Sequence, residues 1–326
     1  MTVVARPHGV DAPPTADCRA AYRAALAELA AADPAVLCVD TDQGGLEDFA
    51  AAFPQQYYDM GIAEANAVTA AAGLASTGKT VFVNTMAAFA SARALEQVKI
   101  DVAYNALPVK VVGTHCGLSA GHLGPTHHAL EDVAIMRALP NMTVLVPADA
   151  LETAALVHAA AALPGPVYLR LGRYPTAVVH DDTPELDVGV ALQLRAGSDV
   201  TLAATGCMPV VGALAAAERL AADGIDARVL DVHTVKPLDV DAVVDAATTT
   251  AGIVSIEDHS TTGGLGGAIS EVLAERGVGT LRRIGVPDVF CRHVGSHDEL
   301  LAAFGIDVDG IFHAARELAG ATKGSR

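Results

Sequence analysis

The chain has 326 residues, which at roughly 150 residues per domain predicts about two domains. Its 21 Lys and Arg against 38 Asp and Glu give a net charge of −17, which repels phosphate backbones and sets nucleic-acid binding aside as a main task. Hydrophobic residues reach 52 %, enough for sizeable cores and too many for global disorder. Aromatics are only 4 % and Trp is absent, so those cores fall to Ala, Val, Leu and Ile. The five cysteines (18, 38, 116, 207 and 291) include no CxxC pair, which excludes a disulfide framework or structural zinc site and fits a reducing cytoplasm. No apolar run reaches the roughly 18 residues of a membrane span. The opening MTVVARPHGVDAPP lacks the apolar stretch of a signal peptide.

Residues 1–16 read as a flexible lead-in. A helix is then expected over 17–31, stopped at Asp33-Pro34, and a buried strand over 36–40 (VLCVD). The pattern continues with helix 64–77, strand 80–84, a long helix over 87–104 and strand 109–114. A Gly- and His-rich loop fills 115–128. Helix 130–138, strand 143–146, helix 149–162 and strand 167–171 close the first half. Stretch 174–187 is polar and without periodicity, and the linker is placed at 179–188. The second half alternates again, with strands near 199–204, 227–232 and 252–257 and helices near 208–222, 239–248 and 266–276. Apolar strands alternating with helices predict an α/β fold. A doubly wound, mostly parallel sheet over 17–178 is followed by a smaller α/β domain over 189–326.

Several motifs match a pattern and lack its context. Residues 73–80 (GLASTGKT) fit the phosphate-binding P-loop, but a helix precedes and a strand follows, the reverse of what aims backbone N–H groups at phosphate. Residues 117–121 (GLSAG) fit a nucleophile elbow, but Gly121, Gly124 and Pro125 break the helix that would present Ser119. Residues 263–267 (GGLGG) lack the third small residue of a dinucleotide fingerprint and read as a close-packed helix start. His115, His122, His127 and His128 share no standard ligand spacing with a carboxylate or Cys beyond the lone Cys116, so no metal ligand is assigned and the loop reads as lining a polar pocket.

Three segments remain: GIAEANAV at 61–68, TMAAFASAR at 85–93, and HCGLSAGHLGPTHH at 115–128. All fall after strands or at helix starts, the edge where doubly wound sheets place their sites. Glu64 alone would be a first-turn acid favoured by the helix dipole, and Phe89 alone a core residue. Together with VLVPADALET, PVYLRLGR, DVHTVKPLD and IEDHSTTGGLGGAISEVL, they resemble the transketolase family over about residues 17–320. The form is specific: a pyrimidine-binding domain plus C-terminal domain, as in the C-terminal subunit of a split transketolase. The chain is also similar to 1-deoxyxylulose-5-phosphate synthase and, more distantly, to the beta subunit of 2-oxo-acid dehydrogenases.

The resemblance implies thiamine diphosphate as cofactor and transfer of a two-carbon ketol unit from a ketose or ketose phosphate to an aldehyde. It assigns Glu64, of the GIxE motif, to the aminopyrimidine N1′, Phe89 to stacking on that ring and Met86 to the cofactor pocket. His115 and His127 match family histidines of the substrate channel, where imidazole suits hydroxyl recognition and proton transfer. Arg19 and Arg170, with Arg173 as the nearby alternative, match arginines that bind substrate phosphate, and Arg93 is placed to reach the pocket. These 326 residues hold no GDG…N motif, so the diphosphate and its Mg2+ (or Ca2+) are expected on a separate N-terminal subunit, in an α2β2 assembly. The chain departs from the sugar-phosphate pattern at Leu123, where the loop carries an Asp, and at His122, which replaces a Glu. Met86 and Ala92 replace aromatics, and Asp40 lies near an expected Ser. These departures leave room for a specialised acceptor. The alternatives are half of another thiamine diphosphate enzyme or a noncatalytic assembly subunit.

Overall fold

The segments VLCVD and VKVVGT are apolar or small at almost every position rather than at alternate ones, a composition that fits strands covered on both faces. In the computed structural model, which describes residues 14–323 and the side chains of 14–320, both are buried along their whole length. The chain runs through β1 (Thr15–Ala16), α1 (Cys18–Ala32), β2 (Val36–Asp40), α2 (Glu47–Ala52), β3 (Tyr57–Asp59), α3 (Glu64–Ala75) and β4 (Thr80–Met86). It continues with α4 (Ala87–Ser91), α5 (Leu95–Gln97), β5 (Val109–Thr114), α6 (Asp132–Ala138), β6 (Thr143–Leu145), α7 (Ala150–Ala162), β7 (Val167–Arg170) and β8 (Thr176–Ala177). The second half holds β9 (Leu192–Arg195), β10 (Val200–Thr205), α8 (Cys207–Ala222), β11 (Ala227–Asp231), β12 (Thr234–Lys236) and α9 (Val240–Thr249). It ends with β13 (Ile253–Ser260), α10 (Leu265–Arg276), β14 (Leu281–Val286), α11 (His297–Ala303) and α12 (Val308–Lys323).

The first sheet has the order β12-β6-β7-β5-β4-β2-β3, and every neighbour pair is parallel except β12 with β6. Separate apolar clusters lie around α3, α4 and α6 and around α1 and α7, so the sheet is doubly wound. The second sheet, β14-β13-β10-β11-β9, is parallel except for its edge strand β9. The α/β reading therefore holds for both halves. Strand β12 is the cross-connection: it comes from the second half and completes the edge of the first sheet.

Two expectations need correcting. Thr15 and Ala16, expected in the lead-in, form β1 and pair antiparallel with β8, inside the polar stretch expected to be irregular; residues 1–13 of that lead-in lie outside the described residues. The long helix over 87–104 is broken. Ser91 Oγ bonds back to the Ala87 carbonyl at 2.8 Å, Ala94 N–H reaches five residues back to Phe89 O, and 98–103 continue as a wide, π-type turn. The three-residue strands β3 and β12 gave no periodic signal, because a run that short holds barely one alternation. All five cysteines are free thiols. No helix of the described residues is long and apolar enough to cross a membrane.

Candidate active site

Parallel sheets gather the loops that follow their strands at one edge, and the singled-out segments are such loops. Glu64 opens α3 after β3; its carboxylate is only 2 % exposed, and Ala63 before it offers no side-chain cap. The partner for this buried charge is Arg93, whose Nη1 donates to Glu64 Oε2 at 2.8 Å. The same guanidinium lies over the Phe89 ring, 4.4 Å from its centroid. Phe89 sits on α4 directly after β4, and the break after Ser91 is what brings Arg93 back over it. On its other contact Phe89 meets the His127 ring edge-on, with centroids 5.3 Å apart. Met86, half-buried, ends β4. Glu64, Arg93, Phe89 and His127 thus form one continuous line of contact.

His115 follows β5 and is held at φ +55°, an uncommon backbone position for a residue other than glycine. With Thr114 donating to Gln43 Oε1 at 3.0 Å, the Thr114 oxygen accepts from His115 Nδ1 at 2.9 Å, which leaves Nε2 as the bare nitrogen. Burial pushes the imidazole down to about 4, and the positive charges of Arg19, Arg173, His127 and Arg23 add to that. These repelling charges mark His115 as facing a basic cluster. In it Arg19 meets Asp17 at 3.3 Å and keeps a buried Nε without a hydrogen-bond partner. Arg23 was missed in the sequence; it lies one helical turn after Arg19 on α1, a spacing that put it on the same face. Asp40, at the end of β2, is pushed up to about 6, chiefly by burial.

Arg170 does not join this group. It is 3 % exposed and clamps Asp132 with Nε at 2.7 Å and Nη2 at 3.1 Å; Nη2 also reaches the carbonyls of Ala129 and Asp258. Its guanidinium is engaged by these partners, whereas Arg173, half-buried beside Tyr174, is near enough for its charge to lower the His115 pKa. Ser119 is fully buried with Oγ bonded to Cys116 O, so it cannot present a nucleophile. Among the described residues the loop histidines form no metal-ligating group; the one such cluster is Glu152, His180 and Asp231.

The pocket therefore offers a buried acid at one edge of a slot and an aromatic ring along it. Arg93 already shows that a flat, N–H-bearing group fits both at once. An aminopyrimidine has the same plan, so these residues fit the heterocycle of thiamine diphosphate. Fold and site together define a two-domain α/β chain with a buried acid and an aromatic ring placed to suit a flat nitrogen heterocycle.

Known proteins agree. Residues 15–177 match the family model described as "Transketolase, pyrimidine binding domain", and residues 189–311 match "Transketolase, C-terminal domain". The chain is 43 % identical over 304 residues to one of the subunits of the apulose-4-phosphate transketolase of Phocaeicola vulgatus, covering 92 % of this chain and 96 % of that one. It is 43 % identical over 303 residues to the 6-deoxy-6-sulfo-D-fructose transketolase subunit SqwH of a Clostridium species, covering 92 % and 94 %. A solved structure described as "Split gene transketolase, inactive beta4 tetramer" superposes with TM-score 0.87 at 40 % identity, over 93 % of this chain and 98 % of that one. Transketolase of Pichia stipitis shares the fold at 22 % identity, with TM-score 0.80 over 98 % of this chain and 48 % of that one. The chain belongs to the transketolase family, whose cofactor is thiamine diphosphate.

Proposed function

We propose that this chain is the C-terminal subunit of a two-component, cytoplasmic transketolase. It transfers a two-carbon ketol unit from a ketose or ketose phosphate to an aldehyde acceptor. A separate N-terminal subunit carries the diphosphate site and its Mg2+ (or Ca2+), in an α2β2 assembly. The observation that carries the reading is the buried Glu64 joined through one planar group to Phe89. The naming of the full-length relatives as single subunits of transketolases, and the description of the solved relative as an inactive beta4 tetramer, support the need for a second component.

Thiamine diphosphate, when bound, supplies the nucleophilic carbon and electron sink for ketol transfer. The remaining tasks fall to side chains of this chain. Glu64 would hold a proton at N1′ of the pyrimidine, and Phe89 and Met86 would form the surface beside that ring. Arg93, whose side chain is half exposed, would have to leave Phe89 and Glu64 for that ring to bind, which frees its guanidinium for substrate. His115 offers a neutral imidazole to substrate hydroxyls, and His127 sits between it and Phe89. Arg19, Arg23 and Arg173 supply positive charge for a phosphate or similar anion. Leu123 and His122, both exposed in the loop, are apolar and basic where the sugar-phosphate pattern is acidic, which weakens selection of a donor hydroxyl.

The test is reconstitution. The chain is co-expressed with a candidate N-terminal subunit, and thiamine diphosphate and magnesium are added. Ketoses, with and without phosphate, are then screened against aldehydes. Ketol transfer by the pair and none by either subunit alone is expected. Turnover of pyruvate instead of any ketose would move the chain to another thiamine diphosphate enzyme, and no turnover by a pair that co-purifies would make it an assembly subunit.

A further inference from the structure

Away from the pocket, four bare polar atoms converge in the seam between the two halves. Glu152 on α7, His180 in the segment after β8 and Asp231 at the end of β11 are all buried, and their donor atoms lie within 4.8 Å of one another. Glu152 Oε2 accepts from Ala148 N–H, but Oε1 has no partner; neither oxygen of Asp231 has one, nor does His180 Nε2. Buried carboxylate oxygens and a bare imidazole nitrogen repel one another and have given up water, so something positive must lie among them.

We propose that Glu152, His180 and Asp231 bind one divalent cation of the zinc–manganese class. A second observation fixes the role of His180. Its Nδ1 lies 3.0 Å from Asp149 Oδ2, and that oxygen already accepts the N–H groups of Val179 and His180, while Oδ1 accepts from Glu152 N–H. Asp149 is therefore an acceptor only, so Nδ1 carries a proton and Nε2 is the ring nitrogen turned toward the two carboxylates. A carboxylate behind a histidine, turning its other nitrogen outward, is the usual support of a metal-binding imidazole. One proton shared between the two acids would satisfy only part of this set, whereas a cation satisfies every member.

The donors choose the class. One imidazole with two carboxylates suits zinc or manganese. Calcium takes six to eight oxygens and magnesium prefers oxygen ligands, and a set that includes an imidazole nitrogen matches neither. In a tetrahedral site bonds of about 2.0–2.2 Å place the donors about 3.3–3.6 Å apart, so a pair at the 4.8 Å limit closes by about an ångström on binding. The cation would join a helix of the first half, the connecting segment and a strand of the second half. Asp231 lies three residues before β12, which enters the first sheet, so the metal would pin the strand that ties the halves together. The proposal does not depend on the transketolase reading.

The experiment uses the full chain, stripped with chelator and dialysed against Zn2+ or Mn2+, with bound metal counted by mass spectrometry. About one ion per chain is expected, with a melting temperature raised by about 5 °C at saturation. Co2+ in the same site should absorb in the visible. Asp231→Asn and His180→Ala should lose the ion and the absorption, and His122→Ala, in the loop, should keep both. Retention of metal by Asp231→Asn at the wild-type level overturns the assignment. So does a wild-type chain that holds no ion and melts alike with metal and with chelator, which would leave a shared proton as the occupant. Should Asp231→Asn fail to fold, the wild-type count and melting shift decide alone.

Discussion

A carboxylate buried in the first turn of an apolar helix must recover its lost solvation from its neighbours. For Glu64 the recovery comes from Arg93 and from the helix N-terminus. Glu64→Gln keeps the shape and removes the acid, so ketol transfer by the reconstituted pair should fall about 100-fold or more while the melting temperature hardly moves; full activity in that variant would remove Glu64 from the chemistry. His115 gives a pH prediction. The folded state disfavours imidazolium, so His115 is neutral near pH 7, and its NMR titration should show a midpoint near 4 rather than at the ordinary 6.5. In linkage terms it is indifferent above about pH 6.5 and costs stability as pH falls from there to about 4, because the unfolded chain takes up the proton first. The sequence made Glu64, Phe89 and both histidines legible through motif order. It left Arg170 and Arg173 undecided, since both are arginines at the end of one strand and only burial separates them.

At the scale of elements, alternating strands and helices were legible because each carries enough apolar residues to show a period. The helix break after Ser91 was not, because every residue from Ala87 to Arg93 is compatible with helix; the break is set by packing and by the Arg93 contacts. The start of α10 shows a local rule that the sequence did express. Gly264 and Gly266 leave room for the Glu257 carboxylate and the Ser255 hydroxyl, and Glu257 accepts the N–H groups of Leu265 and Gly266. A Cβ on Gly264 would lie 2.0 Å from Glu257 Oε2. Gly264→Ala should therefore cost about 1–3 kcal/mol in denaturant unfolding, by displacing that carboxylate from the helix end. An unchanged midpoint would show that the carboxylate is dispensable there.

For the whole molecule, the contacts between the halves carry buried charge. Asp258, held low despite its burial by His297 and Arg170, accepts from Leu118 N–H in the His-rich loop and from His297 Nε2 at 2.8 Å. Arg170 binds the Asp258 carbonyl and Asp132 at once. Arg170→Ala would leave Asp132 buried and uncompensated, so unfolding should show a loss of about 3–5 kcal/mol. Arg173→Ala should leave the melting temperature within a degree or two and raise the KM of a phosphorylated substrate about tenfold, one charge-assisted contact of about 1.4 kcal/mol. If Arg170→Ala melted like the wild type and Arg173→Ala did not, the two roles would be exchanged.

Composition and local pattern alone determined the class of fold, because periodicity and turn chemistry act between residues close in the chain; the three segments proposed for the pocket came from their resemblance to the transketolase family. Only the tertiary structure decided which arginine faces the pocket, that β12 crosses to the other sheet, and that Glu152, His180 and Asp231 meet. Those outcomes rest on burial and on contacts between residues far apart in the chain, and no local pattern encodes which distant carboxylate will be left without water.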